Sequence, residues 1–135
     1  MAISTSETGY KANKRVLMAK HILDSHDAGP KYMIRMLRDA GAEVVYIVYR
    51  VAEEIVPVAL QEDVDIIGLS FYGSGALHDI PIVINSLREK QNQRVQVILG
   101  GIFSHTDVRK LLEMGVGKIY GPGTPVNEII EYVMS

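Results

Sequence analysis

"VDIIGLSF", Val64 to Phe71, carries a single charged residue, Asp65, in an otherwise nearly apolar run. A strand with one wet face alternates apolar and polar side chains. This run does not, and a short, β-branched, continuous apolar segment is the pattern of a strand buried on both faces of a parallel sheet. Four further runs flank it: "RVLMAK" (Arg15 to Lys20), "EVVYIVY" (Glu43 to Tyr49), "VQVILGG" (Val95 to Gly101) and "GKIYG" (Gly117 to Gly121).

Helical spacing fills the gaps between them. Met33, Met36, Leu37 and Ala40 follow the i, i+3, i+4, i+7 stripe, with Gly41 as the stop. Ile80, Val83, Ile84 and Leu87 repeat it, as do Val108, Leu111 and Leu112 before Gly115. Ser104 stands three residues ahead of Asp107 as an N-cap pair. Thr124-Pro125 opens a last helix, with proline expected at the first helical position and Ile129, Ile130 and Val133 facing inward. Pro57 lies in the second helix, "AEEIVPVALQED", where it is tolerated only in the first turn or at a kink. Strictly alternating strands and helices with right-handed crossovers predict an α/β, flavodoxin-like, doubly wound sheet of five parallel strands in the order 2-1-3-4-5. We expect one domain over residues 15–135, preceded by a flexible tail from Met1 to Lys14.

Composition narrows the class of partner. The 135 residues, 47% of them hydrophobic, suffice for a single core. Fourteen basic against sixteen acidic residues give a formal charge of −2, so no broad footprint for nucleic acid or anionic lipid is expected. Cysteine is absent, which removes disulfides, thiolate nucleophiles and sulfur-bound metal and fits a reducing compartment. The polar amino terminus lacks the apolar core of a signal peptide, and no run reaches the roughly 18 apolar residues of a membrane span. A cytoplasmic protein is expected.

In open α/β sheets, ligands bind beyond the carboxyl ends of the strands, near the switch in strand order, here between the first and third strands. The stretch "AKHILDSHDAGPK", Ala19 to Lys31, falls there and brings Lys20, Asp24, Ser25, His26, Asp27 and Gly29. Ser70, Tyr72, Gly73, Ser74 and Gly75 follow the third strand, Gly100 and Gly101 end the fourth, and "YGPGT", Tyr120 to Thr124, with Gly121, follows the fifth. Small residues let a long, narrow ligand approach the backbone. The Asp24-x-His26 spacing lets a carboxylate orient a ring nitrogen, which makes neutral imidazole a better metal ligand. His21, His78 and His105 have no comparable partner and are read as structural. "GSG" at Gly73 to Gly75 lacks dinucleotide glycine spacing, and no Walker lysine follows. A phosphoacceptor receiver domain shares the topology but needs an aspartate at the end of the third strand and a lysine after the fifth. Here those strands end "GLSFYG" and "YGPGT".

"KHILDSHDAG" resembles the Asp-x-His-x-x-Gly motif of cobalamin-binding domains, carried by Asp24, His26 and Gly29. With "RMLRDAGAEVVY", "QEDVDIIGLS", "GGI" and "YGPGTP", the likeness to the cobalamin domain of methylmalonyl-CoA mutase and its acyl-CoA mutase relatives runs from about Arg15 to Ser135. The chain departs from that family at Ser25, where glycine is usual, at Ala28, where arginine is frequent, and at Pro30. Tyr72 replaces the leucine of the family's Ser-x-Leu motif.

The resemblance implies that His26 replaces the cofactor's own benzimidazole as the lower ligand of cobalt. Asp24 would bond to His26, with Lys20 close to Asp24. The displaced nucleotide tail would run beside Ser70, Gly100, Gly101, Tyr120 and Thr124. Side chains added at Gly100 or Gly101 are expected to obstruct that tail and leave the fold intact. The resemblance further implies adenosylcobalamin as cofactor and the role of small subunit in an acyl-CoA carbon-skeleton mutase, an isomerase. A large (β/α)8-barrel subunit would hold the substrate, and no catalytic residue is expected in this chain itself. Alternative readings are the small subunit of a glutamate-mutase-type amino-acid mutase, with which "SFYGSG" is compatible, or a non-catalytic corrinoid carrier or sensor.

Overall fold

Each apolar run becomes a strand and each intervening stripe a helix. A computed structural model describes residues 14–72 and 75–135. Of the tail expected over Met1 to Lys14, residues 1–13 lie outside the described residues, as do the loop residues Gly73 and Ser74. In chain order the elements are β1 (Arg15–His21), α1 (Ala28–Asp39), β2 (Glu43–Tyr49), a 3-10 turn (Ala52–Glu54) leading into α2 (Ile55–Gln61), β3 (Ile66–Phe71), α3 (Ala76–Glu89), β4 (Gln96–Gly101), α4 (His105–Met114), β5 (Lys118–Tyr120) and α5 (Val126–Met134). All strand pairs are parallel and the order is β2-β1-β3-β4-β5, the flavodoxin-like arrangement expected. The Lys14 carbonyl accepts from the Glu43 N–H at 2.8 Å, at the amino end of β1.

Because side chains alternate across a strand, successive residues serve opposite layers. Leu17, Ile67, Val97 and Leu99 pack with Ile55, Val56, Ile80, Val83 and Leu111, so α2, α3 and α4 cover one face. Val16, Ile66 and Ile98 pack with Ile34, Leu37, Ile130 and Val133, so α1 and α5 cover the other. The sheet is thus dry on both sides, which is why its strands read as continuous apolar runs.

The local signals hold with small adjustments. The Ser104 hydroxyl accepts from the Asp107 N–H at 3.1 Å and caps α4. Pro57 is the third residue of α2, in the first turn, where no intrahelical N–H is lost. Pro125 is extended (φ −59°, ψ 133°) and caps α5 from outside, so Val126 rather than the proline is first in the helix. Leu112, expected in the α4 stripe, is 47% exposed, because α4 buries only Leu111 fully. Pro81 sits inside α3, where it cannot donate to the Leu77 carbonyl. No helix among the described residues is long and apolar enough to cross a membrane.

Two adjacent glycines of β4 have different duties. Gly100 pairs with Ser70 on one side and Tyr120 on the other, and a Cβ built on it meets nothing within 4 Å. Gly101 has φ +139°, and a Cβ there would lie 1.7 Å from the Phe71 carbonyl oxygen of β3. The expectation that a side chain at Gly101 leaves the fold intact is therefore corrected: that glycine allows β4 to turn away against β3's backbone. Gly101→Ala should lower stability by at least about 2 kcal/mol, from backbone strain of about 1–3 kcal/mol plus the clash. Gly100→Ala should change stability by less than about 0.5 kcal/mol. Denaturant melts of the two variants check this, and equal midpoints would refute the distinction.

Candidate functional site

β1 delivers the chain to the carboxyl edge, and the loop beyond it is organised by one carboxylate. The Asp24 N–H donates to the His21 carbonyl at 3.0 Å, closing a turn. Asp24 Oδ1 then accepts from the His26 backbone N–H at 2.9 Å and lies 2.8 Å from His26 Nδ1. The side chain of Asp24 is 14% exposed and that of His26 58%, so the carboxylate is sheltered and the ring stands out into solvent. With the carboxylate on Nδ1, that nitrogen carries the proton of the neutral ring and Nε2 presents a lone pair. Burial pushes the Asp24 carboxyl up, but bonds from the His26 N–H and ring, with the charges of His26 and Lys20, outweigh it and hold the group below its ordinary value. Lys20, 8% exposed, reaches the loop as expected, but its Nζ donates to the Asp24 backbone carbonyl at 2.6 Å rather than to the carboxylate.

Tyr72 stacks on the free face of His26, with centroids 4.6 Å apart and planes 16° from parallel. It stands between two cavities. One, of about 260 Å³, is a mainly apolar slot between the α1/α5 layer and the carboxyl half of the sheet. It exists because two strand positions that should carry core side chains on that face, Ser70 and Gly100, carry little or none; at Gly68, also in the lining, the Met18 thioether takes the place of the missing side chain. Gly29, Tyr72, Gly101, Tyr120, Gly121 and Thr124 also line it. The Tyr120 phenol is pushed up to about 12, chiefly by burial, and so stays protonated at neutral pH. The second cavity, of about 450 Å³, opens over the strand ends and is lined by Asp24, Ser25, His26, Ser70 and Tyr72, with His21, His78 and Asp79 opposite.

The structure thus gathers most of the expected site residues along two adjoining cavities with a shared wall, Ser70 and Tyr72. Lys20 supports the loop from beneath and lines neither. Asp27 also lines neither: its carboxylate pairs with Lys31 at 2.9 Å at the start of α1. Gly73 lies outside the described residues. Sequence reasoning passed over Gly68, Met18, Pro30 and Val126, which also shape the slot. Gly68 left a signal, since a glycine inside an apolar strand marks a close approach or a missing side chain. It also passed over Asp79, 8% exposed, which accepts from the Tyr49 hydroxyl at 2.8 Å while His78 Nδ1 lies 2.8 Å from its other oxygen. Burial and the Asp79 charge push the Tyr49 phenol far up.

The B12 binding domain family model matches residues 14–131. The 2-hydroxyisobutanoyl-CoA mutase small subunit of Aquincola tertiaricarbonis is 38% identical over 122 residues, 90% of this chain and 90% of its own. The pivalyl-CoA mutase small subunit of Xanthobacter autotrophicus is 38% identical over 120 residues, 88% of this chain and 80% of its own. Methylmalonyl-CoA mutase of Escherichia coli is 33% identical over 90% of this chain, which corresponds to 17% of that longer protein. Among solved structures, a cobalamin-binding protein from Desulfitobacterium hafniense superposes with a TM-score of 0.73 at 20% identity, over 89% of this chain and 57% of its own. The receiver domain of NarL from Mycobacterium tuberculosis superposes with a TM-score of 0.71 at 18% identity, over 90% of this chain and 94% of its own. Those two likenesses show the fold alone.

The lowered Asp24 carboxyl sets a sign for pH dependence. A carboxyl depressed by folding contributes stability that is present above its unfolded value, near 3.8, and is lost as pH falls through the folded one. Asp24→Asn keeps the acceptor oxygen and removes the charge. It should therefore melt below wild type at neutral pH, and the gap should close as the pH falls below about 3.8 and through the lower folded value, where the native carboxyl also takes up its proton. A deficit persisting unchanged in acid would assign the effect to shape instead of charge.

Proposed function

The chain belongs to the B12 binding domain family, and we propose that it is the cobalamin-binding small subunit of an acyl-CoA carbon-skeleton mutase, an isomerase, with His26 as the protein ligand of cobalt. The observation that carries the role of His26 is its geometry. Its Nδ1 is fixed on the sheltered Asp24 carboxylate, and its Nε2 bonds to none of the described residues that line the wider cavity with it. A carboxylate on the far nitrogen fixes the tautomer and raises the basicity of a metal-binding imidazole. One imidazole also suits a metal that arrives with its other ligands, as cobalt does in a corrin ring. Among the described residues, no three histidines, cysteines or carboxylates converge as they would around a bare ion.

The cavities fit the rest of the cofactor. Cobalt bound to a protein imidazole must release the cofactor's own base, and the apolar slot next to His26 offers that nucleotide tail a place. A Cβ added at Gly100, Gly121 or Gly123 would meet no protein atom within 4 Å, so these glycines face open space. We assign Ser70, Gly100, Tyr120 and Thr124 to the tail and Ser25, His26 and Tyr72 to the junction between tail and ring. We propose the adenosyl form as the working cofactor, whose cobalt–carbon bond supplies the radical chemistry when bound.

The other side of the corrin calls for a second polypeptide. At the carboxyl edge of the sheet Leu23 and Tyr72, which line the wider cavity, and Ile22, Val51, Leu77 and Ile102, which follow the strands or open α3, are exposed, Leu23 to 85% and Ile102 to 59%. An apolar rim of this kind on the site edge is what a covering partner would bury. Relatives named small subunits, and a matched segment that makes up 17% of a longer mutase, support a large mutase subunit as that partner. We propose that it is a (β/α)8 barrel holding the acyl-CoA ester and that the pair works in the cytoplasm.

Electron paramagnetic resonance of the Co(II) form tests the ligand. Protein grown with heavy-nitrogen histidine should alter the nitrogen splitting, and His26→Ala should abolish that change and, with the large subunit present, cost more turnover than the roughly 10–100-fold expected of Asp24→Asn. A splitting indifferent to the label would reject His26. Gly100→Val tests the slot: it should leave the melt of the cofactor-free chain within about 1 kcal/mol and weaken cobalamin binding by at least about tenfold. Full affinity in that variant would remove the tail from the slot.

A further inference from the structure

Resting on the cobalamin reading, we propose that His78 is a second cofactor-contacting residue, whose Nε2 accepts a hydrogen bond from a primary amide N–H on the rim of the corrin. One arrangement occurs twice in the molecule. His78 Nδ1 lies 2.8 Å from Asp79 Oδ1, just as His26 Nδ1 lies 2.8 Å from Asp24 Oδ1. In both pairs the carboxylate is sheltered, at 12% and 14% exposure, and the ring is exposed, at 78% and 58%. Both rings line the same cavity of about 450 Å³. A carboxylate at Nδ1 leaves the neutral ring with an acceptor lone pair on Nε2. In the proposed complex the lone pair of His26 would go to cobalt, and that of His78, in the same cavity, would be available to a hydrogen-bond donor.

Asp79 is held more firmly than a surface partner of a histidine needs to be. It sits in the first turn of α3, buried, with its second oxygen accepting from Tyr49, itself 1% exposed. A buried carboxylate is costly unless hydrogen-bonded, and an apolar pair of the same shape would satisfy the core as well. Tyr49 also receives the edge of His21, so α3 and the end of β1 are tied together beneath the two imidazoles. Tyr49 and Asp79 are positioning residues, acting through His78. Tetrapyrrole-like rings bearing peripheral amides offer N–H donors at their rim, and the cavity that His26 lines is lined by His78 as well.

The test is binding by the whole chain. His78→Ala should weaken cobalamin roughly five- to tenfold, the value of one neutral hydrogen bond, and His78→Gln, which keeps an acceptor, should recover part of it. Cobinamide, which retains the ring amides and lacks the nucleotide tail, should lose the same factor. The melt of the cofactor-free variant and the nitrogen splitting of its Co(II) form should match wild type. Equal affinities of wild type and His78→Ala for cobalamin would overturn this proposal alone, as would a changed splitting, which would make His78 a metal ligand. A loss for cobalamin absent with cobinamide would place His78 on the tail and also overturn it. Failure of wild type to bind cobalamin through a protein imidazole would overturn the functional reading and this proposal together.

Discussion

A parallel sheet covered on both faces has no idle positions, so a residue without a side chain opens a void. The site follows from this constraint. On the α1/α5 face, Val16, Ile66 and Ile98 fill the amino half of the three central strands. Along the carboxyl half of β3 and β4, the same face presents Ser70 and Gly100, while the place left by Gly68 is taken by the Met18 thioether from β1. The helices do not collapse onto these positions, because Ile34, Leu37, Ile130 and Val133 hold them off at the depth set by the filled half. The slot is therefore a consequence of sequence alternation within two strands, and its cost to the empty chain is recovered when a ligand binds only the folded state.

The wider cavity depends on a different device, the pairing of each exposed ring with a sheltered carboxylate. Asp24 does this with one oxygen, which accepts from the His26 backbone and faces its ring, so loop shape and ring orientation are set together. Tyr72 joins the two cavities. Stacked on His26 and lining the slot, it occupies the place where a ligand passing from ring to tail would turn. An aromatic stack adds about 0.5–1.5 kcal/mol beyond burial. It biases the imidazole toward one orientation without consuming either ring nitrogen.

Much of this was legible in the chain. Continuous apolar runs gave the strands, because two-sided burial removes the alternation that would otherwise blur them, and the strand order located the carboxyl edge. Asp24 and His26 were legible because two residues of separation suffices for a local bond. The Tyr49–Asp79–His78 network was not: the bond that buries and fixes Asp79 comes from Tyr49, thirty residues away in sequence, and without it the adjacent His78 and Asp79 look like a surface pair. Gly101 was misread for a related reason. Composition shows that a glycine is small but not which atom it must avoid, here the Phe71 carbonyl of the neighbouring strand.

The receiver domain of NarL and a cobalamin-binding protein superpose on this chain almost equally well, so the backbone does not choose between their chemistries. The choice lies in what β3 and its neighbours present at the carboxyl edge. A phosphoacceptor site needs converging carboxylates, a cation and a lysine, all packed close to one aspartate. Here β3 ends in Ser70 and Phe71, β5 in Tyr120, and each carboxylate nearest the cavity, Asp24 and Asp79, is engaged with an imidazole. A carboxylate spent on a ring nitrogen cannot also bind a cation strongly, but it makes the ring a better donor through its other nitrogen. The same edge that gathers anionic oxygens in a phosphoacceptor site presents, in this chain, carboxylate-paired imidazoles in a cavity that adjoins an apolar slot, which suits a large, flat, metal-bearing ligand with a trailing arm.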